Sequence, residues 1–298
     1  LKTGKPSLDV SSLLNHDISK AYTVKDGTRL NISLNQLWDF APVDSASSRP
    51  DKWGYFMVPG HWKGGELINY MHLADGSRVI AWNGKNLESW PSAWYRRTLN
   101  IPGDWNGKKL LLYFSRLNGF SDIYVNGQKA ASSGIESGSL SLDISKFVKY
   151  GAENEVAVFM DCSRKRELHY GIQGDVYLKV MNPVNLGEPE ILTSYRKKEL
   201  SFSVAGKVPE GTLELRILDA DGKSALSKSF KTNDAGLYSL AWTSPKMWSP
   251  DLPYLYKAEF TLKDAQGNLL DSCVRRFGFR EFYTENGKFM LNGNPLTL

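Results

Sequence analysis

Cysteine is scarce. The 298 residues contain two, Cys162 and Cys273, with no CxxC and no metal-ligand spacing. A zinc ribbon and a dense disulfide framework are therefore excluded, and the two read as unpaired thiols in or near strands. That scarcity does not argue against export, because a large sandwich can do without disulfides. No run of about 18 apolar residues occurs, so no membrane-spanning helix is encoded. Long helical periodicity is missing too. His16, His61, His72 and His169 show no His-x-x-x-His spacing, and no zinc site can be read. Charge of one sign is also lacking: 37 Lys and Arg against 32 Asp and Glu leave a formal +5. The basic triplets Arg164-Lys165-Arg166 and Arg196-Lys197-Lys198 read as solvated loop faces, so no nucleic-acid partner is expected. No charged-then-apolar leader opens the chain, which starts at Leu1; a processed or trimmed N-terminus is the expectation.

What is present is turn chemistry. Asn-Gly occurs at 83, 106, 118, 126, 286 and 292, and Asp-Gly at 26, 75 and 221. Both dipeptides tolerate the positive φ that tight hairpins demand. Between them lie short runs of period two. Tyr254, Tyr256, Ala258, Phe260 and Leu262 share one face, and Lys257, Glu259 and Thr261 share the other with Leu255. Leu213, Leu215 and Ile217 alternate with Glu214 and Arg216. Lys109 to Phe114 is apolar on both faces, as in a buried central strand. The best helical piece is residues 142–151, where Asp143 or Ser145 could cap one or two turns and Gly151 could end them. The pattern predicts an all-β protein built of sandwiches.

At this length about two domains are expected, and 41% hydrophobic residues suffice for more than one core. A boundary is predicted near Met181-Asn182-Pro183. Residues 1–182 then form a large first sandwich and 183–281 a smaller, immunoglobulin-like one without a Cys-Trp-Cys pattern. Residues 282–298 carry two Asn-Gly turns and read as a hairpin.

Several stretches line up with a known family. Leu34-Asn35-Gln36-Leu37-Trp38-Asp39-Phe40, Met57-Val58-Pro59-Gly60, Trp94-Tyr95-Arg96-Arg97, Ile101-Pro102 and Ile123-Tyr124-Val125-Asn126-Gly127 follow in order. Then come Leu142-Asp143-Ile144-Ser145 and Asn154-Glu155-Val156-Ala157-Val158. WSPDLPYLY at 248–256, RFGFR at 276–280 and GKFMLNGNP at 287–295 complete the series. Together these resemble glycoside hydrolase family 2, the family of β-galactosidases, β-glucuronidases and β-mannosidases. The resemblance implies a sugar-binding jelly-roll sandwich at 1–182, an immunoglobulin-like sandwich at 183–281, and a hairpin at 282–298 leading into a (β/α)₈ catalytic barrel absent from this chain. In this family two barrel glutamates act as acid/base and nucleophile, about 5–5.5 Å apart for retention of configuration. The expectation is that both lie beyond Leu298 and that the 298 residues alone do not hydrolyse a glycoside. The implied partners are carbohydrate and the chain's own C-terminal barrel, and the implied location is periplasmic or extracellular. No cofactor is implied; a structural calcium ion is known in such sandwiches, but no residue set picks one out.

Within this frame a few residues are candidates for touching carbohydrate. Trp38, Trp94 and Trp105 belong to strand motifs and read as core. Trp62, Trp82 and Trp90 sit in a Gly-rich stretch, 61–92, where two readings stand: packing beneath a long loop, or a stacking face for sugar. In 161–178 the family pattern "G-I-aromatic-R" is met by Gly171-Ile172 but not by Gln173 and Gly174. The position six residues before that glycine, where relatives carry an acid that reaches the active site, is Lys165. A cation there suits an acidic or sulfated sugar; a solvated loop with shifted alignment is the alternative. Glu167 or Asp161 could take the acid's place, and His169 and His61 could face a pocket. The carbohydrate-contact candidates are thus Trp62, Trp90, Lys165, Glu167 and His169.

Overall fold

The structure, a computed structural model, describes residues 17–45, 50, 53–61, 71–72, 78–79, 90–134, 138–163, 170–205 and 208–296. The chain divides into two compact units, Leu1–Val24 with Leu30–Val180, and Lys25–Arg29 with Met181–Leu298. Among the described residues strands dominate, and the helical elements are single 3-10 turns at Ile18–Lys20 and Gly103–Trp105.

The first unit is a sandwich of two six-stranded sheets. One has the order Thr23–Asp26, Arg29–Ser33, Val176–Met181, Lys109–Asn118, Gly138–Asp143, with Gly171–Ile172 also paired to Lys109–Asn118; Lys25–Arg29 and Met181, at the ends of three of these strands, are counted with the second unit. The other has the order Gln128–Ser133, Phe120–Val125, Ala152–Asp161, Ser92–Ile101, Gln36–Val43, Gly54–Val58. Period-two burial builds one core from both sheets. Leu110, Leu112 and Phe114 meet Trp38, Phe40, Tyr95 and Val158 within it. Register lines up the inward residues along the second sheet, since Val158 lies opposite both Tyr95 and Ile123 on its neighbouring strands. The alternate residues of the second sheet form a separate cluster on its other side, where Trp94 and Phe159 pack 5.1 Å apart.

Two expectations need adjusting. Lys109 to Phe114 is an interior strand, but only Leu110, Leu112 and Phe114 are buried, while Leu111 and Tyr113 are half-buried. At 142–151 no helix forms. The Asp143 carboxylate caps a single turn, accepting from the Ser145 backbone N–H at 3.0 Å, and Phe147 N–H reaches the Ile144 carbonyl at 2.9 Å. Further winding is blocked because the buried Asn154 amide takes both the N–H and the carbonyl of Lys149, at 2.6 and 2.8 Å.

The second unit is a smaller sandwich. A three-stranded sheet (Glu190–Ser194, Glu199–Ser203, Leu237–Ala241) and a four-stranded sheet (Ser224–Lys231, Gly211–Leu218, Tyr256–Asp264, Leu269–Phe277) share one core. This is the three-plus-four arrangement of an immunoglobulin-like fold. Phe202 anchors it between Tyr238, stacked at 5.0 Å, and Phe260, edge-on at 5.1 Å. The sheet Phe282–Glu285, Lys288–Leu291, Asn294–Pro295 turns at Asn286 and Asn292, both at φ 50° and each followed by glycine. Its base is tied to the sandwich: the Asn292 amide donates to the Trp248 carbonyl at 2.9 Å and accepts from Glu281 N–H at 2.9 Å. Glu281 in turn accepts from Arg196 and Ser194.

Candidate functional site

At one end of the first sandwich several strand ends converge. The peptide Val58-Pro59 is cis. Gly60 N–H donates to the Ile172 carbonyl at 2.8 Å, which places the 58–61 segment against Gly171–Ile172. A Cβ at Gly171 would lie 2.3 Å from the Gly60 carbonyl oxygen and 2.7 Å from His61 Cα, so only glycine allows this backbone crossing. Beside it, Cys162 N–H donates to the Pro91 carbonyl at 2.7 Å, and Tyr170 is buried against Gly119 and Met160.

Of the five carbohydrate-contact candidates, Trp62, Lys165, Glu167 and His169 lie outside the described residues. Trp90 is described, and it is half-buried and packed against the first core. His61 is half-buried at the crossing. The Asp161 carboxylate accepts from Ser163 N–H at 2.9 Å, closing a short turn at the end of its strand.

The departure at Gln173-Gly174 has a local cause. Both backbone N–H groups donate to the Arg116 carbonyl, each at 3.0 Å. A Cβ at Gly174 would sit 2.3 Å from Ser115 Oγ and 2.5 Å from Arg116 N. No larger side chain fits this backbone at the second of those positions.

The tryptophans assigned to core divide. Trp38 and Trp94 are buried, but Trp105 is half-buried in the 3-10 turn Gly103–Trp105 rather than in a strand. The Pro-Gly-Asp-Trp-Asn-Gly run around it is turn composition, and that was the signal for a loop. Trp105 lines an open cavity of about 420 Å³ in the first unit, with Ile18, Ile32 and Ile101 as apolar walls and Asp17 and Asn100 at the polar edge. None of these residues stood out in the sequence as ligand-contacting. Among the described residues no three His, Cys, Asp or Glu side chains are grouped to hold a metal ion.

Deeper in the same unit the Arg97 guanidinium is buried. It donates to the Leu34 carbonyl at 2.8 Å and the Asn35 carbonyl at 3.2 Å, and burial pulls its pKa down to about 10. The Trp38 indole N–H shares the Leu34 carbonyl at 2.8 Å. These bonds hold the loop between two strands and serve the body of the fold.

Comparison with known proteins follows the same division of the chain. Residues 32–179 match the profile described as "Glycosyl hydrolases family 2, sugar binding domain", and residues 188–280 match "Glycosyl hydrolases family 2". A putative beta-glucuronidase of Formosa agariphila is 32% identical over 225 residues, which are 69% of this chain and 27% of that protein. A beta-galactosidase of Thermoanaerobacter pseudethanolicus is 25% identical over 228 residues, 69% of this chain and 31% of that protein. Among solved structures, the beta-glucuronidase of Bifidobacterium dentium complexed with coumarin-3-O-glucuronide superimposes with a TM-score of 0.74 at 19% identity, over 92% of this chain and 52% of that one. The chain therefore spans under a third of these two relatives' length and about half of the solved structure's. With both of its sandwiches matched in order, the chain belongs to glycosyl hydrolases family 2.

Proposed function

We propose that this chain is the non-catalytic N-terminal portion of a retaining exo-glycosidase. Its first sandwich would support and help shape the active site of a C-terminal (β/α)₈ barrel that supplies the two catalytic glutamates. The observation that carries this reading is the ordered match of two consecutive family profiles, together with relatives named as beta-glucuronidase and beta-galactosidase of which this chain covers about a third or less. The described geometry is in keeping with a supporting role. Its loop crossing at Gly171 is fixed by backbone contact, and one oxygen of the Asp161 carboxylate accepts the N–H of a local turn.

In this reading the substrate is a glycoside, the partner is the chain's own catalytic domain, and no organic cofactor is required. An exported location is part of the proposal and rests on the family resemblance alone. A second reading, a stand-alone carbohydrate-binding protein, is favoured by the Trp105 cavity.

The test is an assay with nitrophenyl β-galactoside and β-glucuronide. We expect no turnover by residues 1–298 alone, and turnover by a longer chain from the same reading frame. Hydrolysis by the 298 residues alone would overturn the proposal, as would a reading frame with no barrel.

A further inference from the structure

The cavity beside Trp105 is built from separate pieces of the first unit. Asp17 caps the turn Ile18–Lys20, accepting from Ser19 N–H at 3.0 Å and from its hydroxyl at 2.7 Å. Ile101 ends the strand Ser92–Ile101, and Pro102 starts the turn that carries Trp105. The result is an aliphatic floor of Ile18, Ile32 and Ile101, one indole wall, and a polar lip of Asp17 and Asn100. Its size of about 420 Å³ falls in the range of small-molecule sites, and so does its mix of many apolar groups with a few polar ones.

Two polar groups at this cavity are unpaired among the described residues. The half-buried Trp105 indole N–H makes no hydrogen bond among the described residues, nor does the exposed Asn100 side-chain amide. Both groups are open to solvent, so a ligand can take the place of water on them. An apolar face with unused donors and an acceptor at its edge is complementary to a pyranose ring, which has C–H groups on one face and hydroxyls around its rim.

We propose that this cavity binds a neutral pyranose unit of a carbohydrate, with the Trp105 indole as the stacking face and Asn100 and Asp17 as hydroxyl partners. A hydrocarbon chain would make no use of the polar groups at the edge. A uronate is disfavoured. The Asp17 carboxylate, whose nearest cation among the described residues is Lys20 at 3.8 Å, meets a second carboxylate as a like charge. The inference concerns binding by the 298 residues themselves and is independent of the hydrolase reading.

The test is calorimetric titration of the folded chain with methyl β-galactoside, methyl β-glucoside, cellobiose and glucuronate. Binding of at least one neutral sugar is expected, weakened about tenfold by Trp105→Ala, or ~1.4 kcal/mol. Asn100→Ala should weaken it as well. Glucuronate should bind less tightly than the neutral sugar, with Asp17→Asn narrowing the gap. Trp105 packs against the core, so the Asn100 and Asp17 variants, with unchanged melting temperatures, keep the test valid if Trp105→Ala unfolds. Silence of every neutral sugar with the wild-type chain would overturn the proposal. So would binding undiminished in Asn100→Ala and Trp105→Ala, or glucuronate binding as tightly as the neutral sugars. An absence of hydrolysis by the longer chain would leave all these affinities as they are, so the two readings fail separately.

Discussion

Within the second unit, Arg29 grips Asp271 with two parallel bonds, Nε to Oδ1 at 3.1 Å and Nη2 to Oδ2 at 2.5 Å, with side chains 3% and 0% exposed. Further hydrogen bonds surround the pair. Arg29 Nη1 donates to the Gly187 carbonyl at 2.7 Å, and Asp271 accepts from Leu186 N–H and the Thr28 hydroxyl, each at 2.9 Å. Burial pulls the Arg29 pKa down, but the bond to Asp271 and nearby negative charge more than offset this and leave it raised.

Removing one partner strands a buried charge. Asp271→Ala is expected to cost the second unit roughly 3–5 kcal/mol. The double change Arg29→Met with Asp271→Leu should recover most of the loss, because no charge is then left buried. Urea denaturation of the three variants reads this out. A loss below about 1 kcal/mol for Asp271→Ala would mean the pair behaves as a surface one.

The crossing of Gly171 over Gly60 predicts intolerance of a single methyl group. Gly171→Ala should destabilise the first unit by about 1–3 kcal/mol through forced displacement of backbone. Gly103→Ala is the matched control, since its Cβ would stand 3.7 Å from the nearest atom. A melting curve for Gly171→Ala that overlays that of Gly103→Ala would contradict the close approach.

Glu281 predicts a feature of the acid limb. Burial alone would raise its carboxyl, but bonds from the Arg196 side chain and N–H and from the Ser194 hydroxyl outweigh that and hold it at about 2. A carboxylate with a depressed folded pKa adds stability above its unfolded value, about 4.3, and that stability is lost as pH falls through that value toward about 2. Glu281→Gln should therefore flatten stability against pH between about pH 5 and pH 2 and leave the neutral-to-alkaline side parallel. An unchanged acid limb would remove the assignment.

Cys162 and Cys273 are both buried, and burial pushes the Cys273 thiol up to about 11. At pH 8 neither should react with an aromatic disulfide reagent in the native protein, and both should react at once in denaturant. Rapid native labelling of one equivalent would show an exposed thiolate.

Much of the framework was legible in the sequence because it depends on local alternation. Tyr256, Ala258, Phe260 and Leu262 are all buried and Lys257 is exposed, as period two required. Asn126, Asn286 and Asn292 take positive φ before their glycines, as two-residue hairpins demand. The family motifs added what alternation could not, the kind of sandwich each half forms. The candidate site was less legible. Trp90 packs on the core, and Trp105, placed in the core from its neighbouring strand motif, instead half-opens onto a cavity. A cavity depends on where three distant segments meet, and no window of sequence contains that. The Arg29–Asp271 pair spans 242 positions and was invisible for the same reason.

At Gly171 and Gly60 it is main chain, not side chain, that fills the space. Drift in side-chain size cannot loosen such a junction, and repacking cannot repair it. The sequence on either side of this knot can then change in length or charge while the knot itself is inherited unchanged, so variation there is separable from the soundness of the body that bears it.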